Sequence, residues 1–515
     1  MQKSGVNLGA LYAPTRAIAE NPSFSRQDVQ EAPLQQSDDA IHVALVSIRT
    51  PEDIDDQTLS GIALTLSQLV RLDMQIVLVF ECEHGISRDT TAREVRTVYQ
   101  TQGQRLVRAL EEHNNAGARY VDGALGVDRD SFDDHAASKL HGPVSVAVPE
   151  LIIAALKRTA IPVVPALAYT SECQIFPVSR AGVMLALTVS LAGLSPVTPS
   201  DGSVTDGDHQ SEDTTLDRII MIDSCGGVPA SHRADGAHVF VNLEQEYSNI
   251  SEELQASTRI GGDQRHAIES ASTATQQLAN LDTLRSCLGV LSPACSALLI
   301  SPQEAASSSQ SSAQVHDTIG IGTRRQKNPL IHNLLTNKPV ISSSLPVARL
   351  SATDSDPTLP SSDQPVRSTL IKRGMPVKIV PDPRTHPWTP PASLDSPTIS
   401  LEAHPDINFA RLLALIEDSF RRPLDVQHYL DRIRNRIAGV IIAGEYEGGA
   451  ILTWEEPPPR PASSQAFNPD VAARQPPKRR LVPYLDKFAV ASRSQGSSGV
   501  ADMVCLLYTS PSPRD

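Results

Sequence analysis

Aromatic residues make up only 4% of this 515-residue chain, two of them tryptophan. Cysteine is scarce as well. Cys82, Cys173, Cys225, Cys287, Cys295 and Cys505 form no Cys-x-x-Cys pair, and the 14 histidines do not cluster around them at metal-ligand spacing. A structural metal centre is therefore not expected, and free thiols in a reducing compartment are. No apolar run exceeds strand length, so no membrane-spanning helix is expected. The first residues carry neither the apolar core of a signal peptide nor an arginine-rich presequence. Positive charge is in deficit: 45 Lys and Arg stand against 59 Asp and Glu, a net −14. That balance disfavours a nucleic-acid face, and Lys478-Arg-Arg480 and Thr323-Arg-Arg325 read as solvated loop ends. The segment Ser47-Ile-Arg-Thr-Pro51, after the first strand, lacks the lysine and glycines that cradle phosphates in a kinase. Gly320-Ile-Gly-Thr-Arg-Arg-Gln326 lacks the third glycine of a dinucleotide fingerprint and reads as a turn. Ser179-Arg-Ala-Gly182 and the scattered histidines supply no nucleophile triad.

What is present is a 40% hydrophobic chain punctuated by 39 prolines, which suggests globular units with proline-rich joints. At about 150 residues per domain, two or three domains are expected. Residues 1–39 read as a polar lead-in. Short β-branched runs at 42–48, 75–80, 161–166, 217–223, 238–243 and 296–300 predict buried strands. Helical periodicity falls at 59–72, 93–112, 149–156, 179–194 and 266–290. The alternation predicts a parallel-sheet α/β domain over 40–345, with polar surface insertions at 197–215 and 304–316. Asp223-Ser-Cys-Gly-Gly-Val-Pro229 is a strand-end loop, read either as a ligand loop or as a bare turn.

Residues 346–366 form a Ser/Pro/Asp linker, and a strand pair within 368–380 is expected to open a second domain, 367–504. Phe409, Leu412, Leu413, Ile416 and Phe420 share one helical face. Asp425 caps a second helix with the stripe Val426, Leu430, Ile433 and Ile437. A hairpin follows, 439–443 with 450–454 around a turn at 445–449. Residues 455–480 are expected to be disordered, and 482–490 to be a strand. The strand runs into Arg493-Ser-Gln-Gly-Ser-Ser-Gly499 and a helix start at Val500, an arrangement that presents amides to an anion.

Helix, helix, hairpin, strand, anion loop, helix is the order of a GNAT-like acetyl-CoA-dependent N-acetyltransferase. The coenzyme A signature of that class is Arg or Gln, two residues, Gly, one residue, Gly or Ala. Arg493 and Gly496 match it, Ser498 departs from it, and Gly499 stands one place late. Longer runs resemble the fungal mitochondrial N-acetylglutamate synthases: Lys3–Gly9, Ala237–Tyr247, Gly322–Thr336, Lys372–Pro376, Leu424–Leu430, Arg436–Gly449 and Val482–Val490. The resemblance spans residues 3 to about 504. It implies an amino-acid-kinase-like regulatory domain joined to the acetyltransferase domain. It also implies acetyl transfer from acetyl-CoA to the α-amine of L-glutamate, the first step of arginine biosynthesis, in the mitochondrial matrix. It further implies feedback inhibition by arginine, association with the N-acetylglutamate kinase of the pathway, and a homo-oligomer.

Three site expectations follow. Backbone amides of Phe488, Ala489 and Val490 are expected to meet the thioester and its oxyanion. Arg493, Ser494, Gln495, Gly496, Ser497, Ser498 and Gly499 are expected to hold acetyl-CoA. Lys487, Arg421 and Arg422 are candidates for the substrate carboxylates, and Asp486 and Glu445 for the general base, against a plain reading as solvated charges. Against the family pattern, Met1 reads as an internal start and 505–515 as a tail foreign to the family, with prolines that stop the preceding helix. A chain ending there is expected to lack part of its substrate site and to be inactive. The competing reading is a non-catalytic amino-acid-sensing subunit.

Overall fold

A run such as Val43-Ala-Leu-Val-Ser-Ile48 has no polar face to show to water, so it can only sit where a sheet is covered on both sides. That is where the computed structural model places it. The structure describes residues 41–86, 90–127, 144–194, 214–230, 237–257, 264–307, 328–337, 368–383, 385–386, 388–391, 398–456, 481–495 and, in part, 500–504.

In chain order, the first elements are β1 (Ile41–Arg49), α1 (Asp56–Arg71), β2 (Gln75–Glu81), α2 (Ala92–Glu111), β3 (Ala118–Tyr120), β4 (Leu125–Val127) and β5 (Val144–Val146). Then come α3 (Glu150–Leu156), β6 (Ile161–Pro165), β7 (Leu167–Tyr169), β8 (Ile175–Pro177), α4 (Arg180–Leu191), β9 (Thr214–Ile222) and β10 (Phe240–Asn242). They are followed by α5 (Leu243–Ser257), α6 (Gln264–Val290), β11 (Ser296–Ile300), α7 (Pro302–Ala306), α8 (Pro329–Thr336), β12 (Thr369–Lys372) and β13 (Val377–Val380). The last are α9 (Phe409–Phe420), α10 (Val426–Ile433), β14 (Ile437–Ala443), β15 (Gly448–Glu455) and β16 (Val482–Val490). Helix starts carry their signals. Asp55 accepts from Thr58 N, and Thr91 and Glu94 form a reciprocal capping box. Asp425, the one cap expected from the sequence, accepts from His428 N at 3.1 Å.

An eight-stranded sheet runs β10-β12-β11-β9-β1-β2-β6-β3. From β11 to β3 its neighbours are parallel, while β12 lies antiparallel to β11 and parallel to β10. The α/β expectation holds, with one correction. Thr369–Lys372 and Val377–Val380 are not a strand pair opening a second domain. β12 is buried inside the first sheet, whereas β13 pairs with β14. The reason is visible at Thr369, whose hydroxyl donates to His238 O at 2.6 Å and accepts from Val228 N at 2.8 Å. The first sheet therefore ends its chain path at 372, and 373–376 is the passage to the second.

The second sheet is antiparallel, β13-β14-β15-β16. Its side chains alternate between two cores. Val440, Ile442, Ile451 and Ala489 join Leu412, Leu415, Ile416, Tyr429 and Ile433 of α9 and α10. Ile441, Ala443, Ala450, Leu452, Trp454 and Val490 join the core of the large sheet. Three readings need adjustment. Ile437 begins β14 rather than ending the α10 stripe, because Asn435 turns the chain in a left-handed conformation (φ 58°). The segment from 304 is not all loop, since Ser301 caps α7. A four-stranded sheet β5-β4-β7-β8 was not anticipated, its strands being three residues each and too short to display alternation. Among the described residues no helix is long and apolar enough to cross a membrane. The lead-in 1–39, the linker 346–366, residues 457–480 and the tail 505–515 lie outside the described residues; of the stretch 455–480 expected to be disordered, Glu455 instead ends β15, paired with Val482.

Thr369→Val keeps the volume but strips both hydrogen bonds, leaving a buried N–H and a buried C=O without their partner. A loss of about 2–3 kcal/mol in unfolding free energy is expected, read as a lower urea midpoint at unchanged slope.

Candidate functional site

Strand β16 is the outermost strand of its sheet among the described residues. In an antiparallel ladder successive amides point to opposite edges. Ala491 N donates to Glu447 O, so Ala489 and Lys487, in the same phase, face β15. The N–H groups of Phe488 and Val490 consequently face the other way. Val490 N is met there by Ser419 Oγ at 3.1 Å, and Val490 O by Gln495 Nε2 at 3.0 Å. Asp418 fixes the next residue, accepting from Ser492 N at 2.6 Å. The last turn of α9 thus grips the end of β16 and leaves the Phe488 amide aimed at the open edge. Nothing in the sequence marked Asp418 and Ser419. Their role depends on where α9 ends, which Arg421 sets by turning left-handed at φ 53°.

The register of β16 slips between Ile451 and Leu452, which face Lys487 and Leu485 and leave Asp486 as an extra residue. This bulge changes what Asp486 and Lys487 can do. In a regular strand, neighbours point to opposite faces. Here both reach the same helices. Asp486 accepts from Tyr429 Oη at 2.8 Å and from Arg432 at 2.6 Å, with its carboxylate almost wholly buried. The Lys487 ammonium lies over the rings of Tyr429, at 5.2 Å, and Phe420, at 6.0 Å, and 3.8 Å from Asp486. Burial first, and the adjacent Asp486 carboxylate second, push the Tyr429 hydroxyl well above its ordinary range, so it stays a donor at any physiological pH. Asp486 is therefore neither a solvated charge nor free to act as a base. Glu445 is the solvated one, exposed on the hairpin turn and paired with Arg411.

The other expected residues divide. Arg493 is exposed and Ser494 buried in a short 3-10 turn, Ser492–Ser494, directly after β16. Gln495 is exposed, its amide holding Val490. Gly496, Ser497, Ser498 and Gly499 lie outside the described residues. Beyond them, helical residues Val500, Met503 and Val504 are buried. Arg421 and Arg422 are exposed just past Phe420.

The strand-end crevice of the large sheet carries a second polar cluster. Asp223, wholly buried at the end of β9, accepts from Arg180 at 3.2 Å, Asn280 at 3.1 Å, Gln276 at 3.2 Å and Cys225 N at 3.1 Å. Arg49, at the end of β1, forks onto Glu83 at 2.9 and 3.0 Å. Desolvation alone would raise the Asp223 carboxyl. The Arg180 charge, the Cys225 amide, Arg49 and Asn280 outweigh it and hold the carboxyl below its ordinary 3.8. The loop 223–229 is thus tied to the chain's own cations. Burial pushes the Cys225 thiol beside it up to about 11, which keeps it protonated and a poor nucleophile.

A family model described as NAT, N-acetyltransferase, of N-acetylglutamate synthase matches residues 397–509. The chain is 41% identical over 550 residues to the mitochondrial amino-acid acetyltransferase of Botryotinia fuckeliana, covering 98% of this chain and 73% of that protein. It is 39% identical over 543 residues to the same-named protein of Pyrenophora tritici-repentis, covering 98% and 72%. Among solved structures, N-acetylglutamate synthase from Neisseria gonorrhoeae complexed with coenzyme A and N-acetyl-glutamate aligns over 91% of this chain and 82% of that one. Its TM-score is 0.44 at 11% identity, a likeness too loose to argue from.

The Asp223 cluster predicts an acid limit. A carboxyl held low in the fold lends stability above its unfolded value of 3.8 and loses it as the pH falls through the folded one. Asp223→Asn should lose about 3 kcal/mol at neutral pH, because Arg180 is left buried and undercompensated. The gap to the unsubstituted protein should narrow below about pH 4 in denaturant melts across pH.

Proposed function

The chain belongs to the mitochondrial amino-acid acetyltransferases, and on that premise we propose that it binds acetyl-CoA along the open edge of β16 and passes the acetyl group to the α-amine of L-glutamate. The observation that carries the reading is the outward-facing Phe488 amide, held in place by the grip of α9 on Val490 and Ser492. The pantetheine arm of coenzyme A carries two amides and suits a strand edge that lacks a neighbour. The pyrophosphate falls to Arg493–Gly499, supported by the coenzyme A signature there.

The reaction needs no acyl-enzyme. The neutral amine attacks the thioester carbonyl, whose π electrons move onto oxygen. The Phe488 N–H, with the neighbouring amides of Ala489 and Val490 fixing its strand, stabilises that oxyanion. The intermediate collapses with release of the coenzyme A thiolate, and the proton shed by the amine leaves with the thiol. Asp486 is committed to Tyr429 and Arg432, and Glu445 lies exposed on the turn, so a water is assigned to relay the proton. Lys487 is proposed to meet a glutamate carboxylate, with Arg421 and Arg422 as further cations for it. The eight-stranded domain is read as the amino-acid-kinase-like regulatory part. Arginine as feedback inhibitor, association with N-acetylglutamate kinase and a homo-oligomer complete the proposal, supported by the long family-like runs.

The central test is coenzyme A release with acetyl-CoA and L-glutamate, followed with a thiol reagent. Release that needs both substrates is expected of a full-length version of the protein, and acetyl-CoA binding without any turnover by that version would favour the non-catalytic amino-acid sensor. A sharper test is Phe488→Pro. Proline removes the outward N–H but no β15 hydrogen bond, and an edge strand tolerates it. A fall in kcat of about 10²–10³ is expected for a lost oxyanion donor, whereas Phe488→Ala, which loses the same ring packing against the core but keeps the amide, should retain kcat.

A further inference from the structure

Val500, Met503 and Val504 form one face of the helical segment that emerges from the coenzyme A signature, and all three are buried. Two surfaces hold them. One is β15, where Gly448 leaves the room: a Cβ there would lie 2.3 Å from Val500 Cγ1. The other comes from the large sheet. Asn242, the last residue of β10, donates one amide hydrogen to Met503 Sδ at 3.2 Å and the other to Met375 O at 2.9 Å. Its Oδ1 is buried against Gly374, where a Cβ would come within 1.9 Å, and has no hydrogen-bond partner among the described residues. Gly374 has φ +72°, so the passage between the sheets turns sharply around this one side chain. The same corner makes two more bonds to the passage: Glu244 N donates to Arg373 O at 3.0 Å, and Gln245 Oε1 accepts from Val377 N at 3.1 Å.

We propose that Asn242 is a positioning residue for acetyl-CoA. It belongs to the large sheet and touches no part of the β16 edge, yet it fixes the helical segment that begins one residue after Gly499. A polar group with an unmet buried oxygen is costly to keep. What it secures is the register between the segment after the coenzyme A loop and the sheet that binds the rest of the cofactor. The inference presupposes the acetyl-CoA reading above, and it makes the large sheet part of the cofactor site.

Asn242→Asp is close to isosteric, loses both donors and sets a carboxylate against the Met375 carbonyl. Met503→Leu keeps the volume and removes only the acceptor. Coenzyme A binding to the whole chain is measured by calorimetry, with the thermal midpoint recorded beside it. Asn242→Asp should weaken coenzyme A about 10-fold, and Met503→Leu about 2–3-fold, in line with the loss of one or two modest hydrogen bonds. L-Glutamate affinity should change less than about two-fold in both, since cofactor positioning alone is altered. If the unsubstituted chain does not bind coenzyme A, the acetyl-CoA reading itself fails. If it binds and either folded variant binds equally well, the role of Asn242 is overturned. Parallel losses for coenzyme A and glutamate would also overturn it, by marking a general loosening. Should Asn242→Asp not fold, Met503→Leu alone decides.

Discussion

A β-sheet has two faces to keep dry, and in the antiparallel sheet β13-β14-β15-β16 the two faces are closed by different partners. α9 and α10 cover the face carrying Val440, Ile442, Ile451 and Ala489. The face carrying Ile441, Ala450, Leu452, Trp454 and Val490 is closed by the core of the large sheet and by the segment around Met503. Every other property of the second sheet follows from that sharing. Its strands are apolar on both faces, which is unusual for an antiparallel hairpin exposed on one side. Its chain entry, at 373–376, must pass close over the β10 corner. Its outer strand is fixed relative to both cores at once.

Sharing also explains the charges of β16. On an ordinary alternating strand, Asp486 and Lys487 would point to opposite cores, and one would be buried in apolar surroundings at considerable cost. The bulge puts both toward α10, where Tyr429 and Arg432 satisfy the carboxylate and two aromatic rings face the ammonium. A register irregularity thereby resolves an electrostatic problem and leaves a cation beside the outer edge of β16.

Much of this was legible in the residues. Parallel strands such as Gln75–Glu81 announce themselves because both faces are apolar, and the second helix of the C-terminal part because Asp425 stands at its start; the polar first half of Thr214–Ile222 hid where that strand begins. Residues 482–490 form a strand as expected, but of the three amides expected at the thioester only that of Phe488 is aimed at the outer edge: Ala489 faces β15 and Val490 meets Ser419. What escaped were consequences of register and packing. That Thr369–Lys372 belongs to the first sheet is decided by a hydroxyl between two distant backbone groups. That Ser419 and Asp418 clamp the strand end depends on where a helix stops. That Asn242 meets Met503, 261 positions away, has no local signature at all.

The open edge of β16 has another side. A row of amides on an outer strand is available to a strand from another chain, the usual route from a folded sheet to an aggregate. This edge is poorly suited to such a guest. Pro483 offers no hydrogen, the kink at Asp486 throws any straight strand out of register, and the end past Val490 is closed by Ser419 and Gln495. The stretch left accessible is about long enough for a two-amide arm and too short for a peptide. Length, rather than chemistry, keeps this edge from serving as a template for self-association.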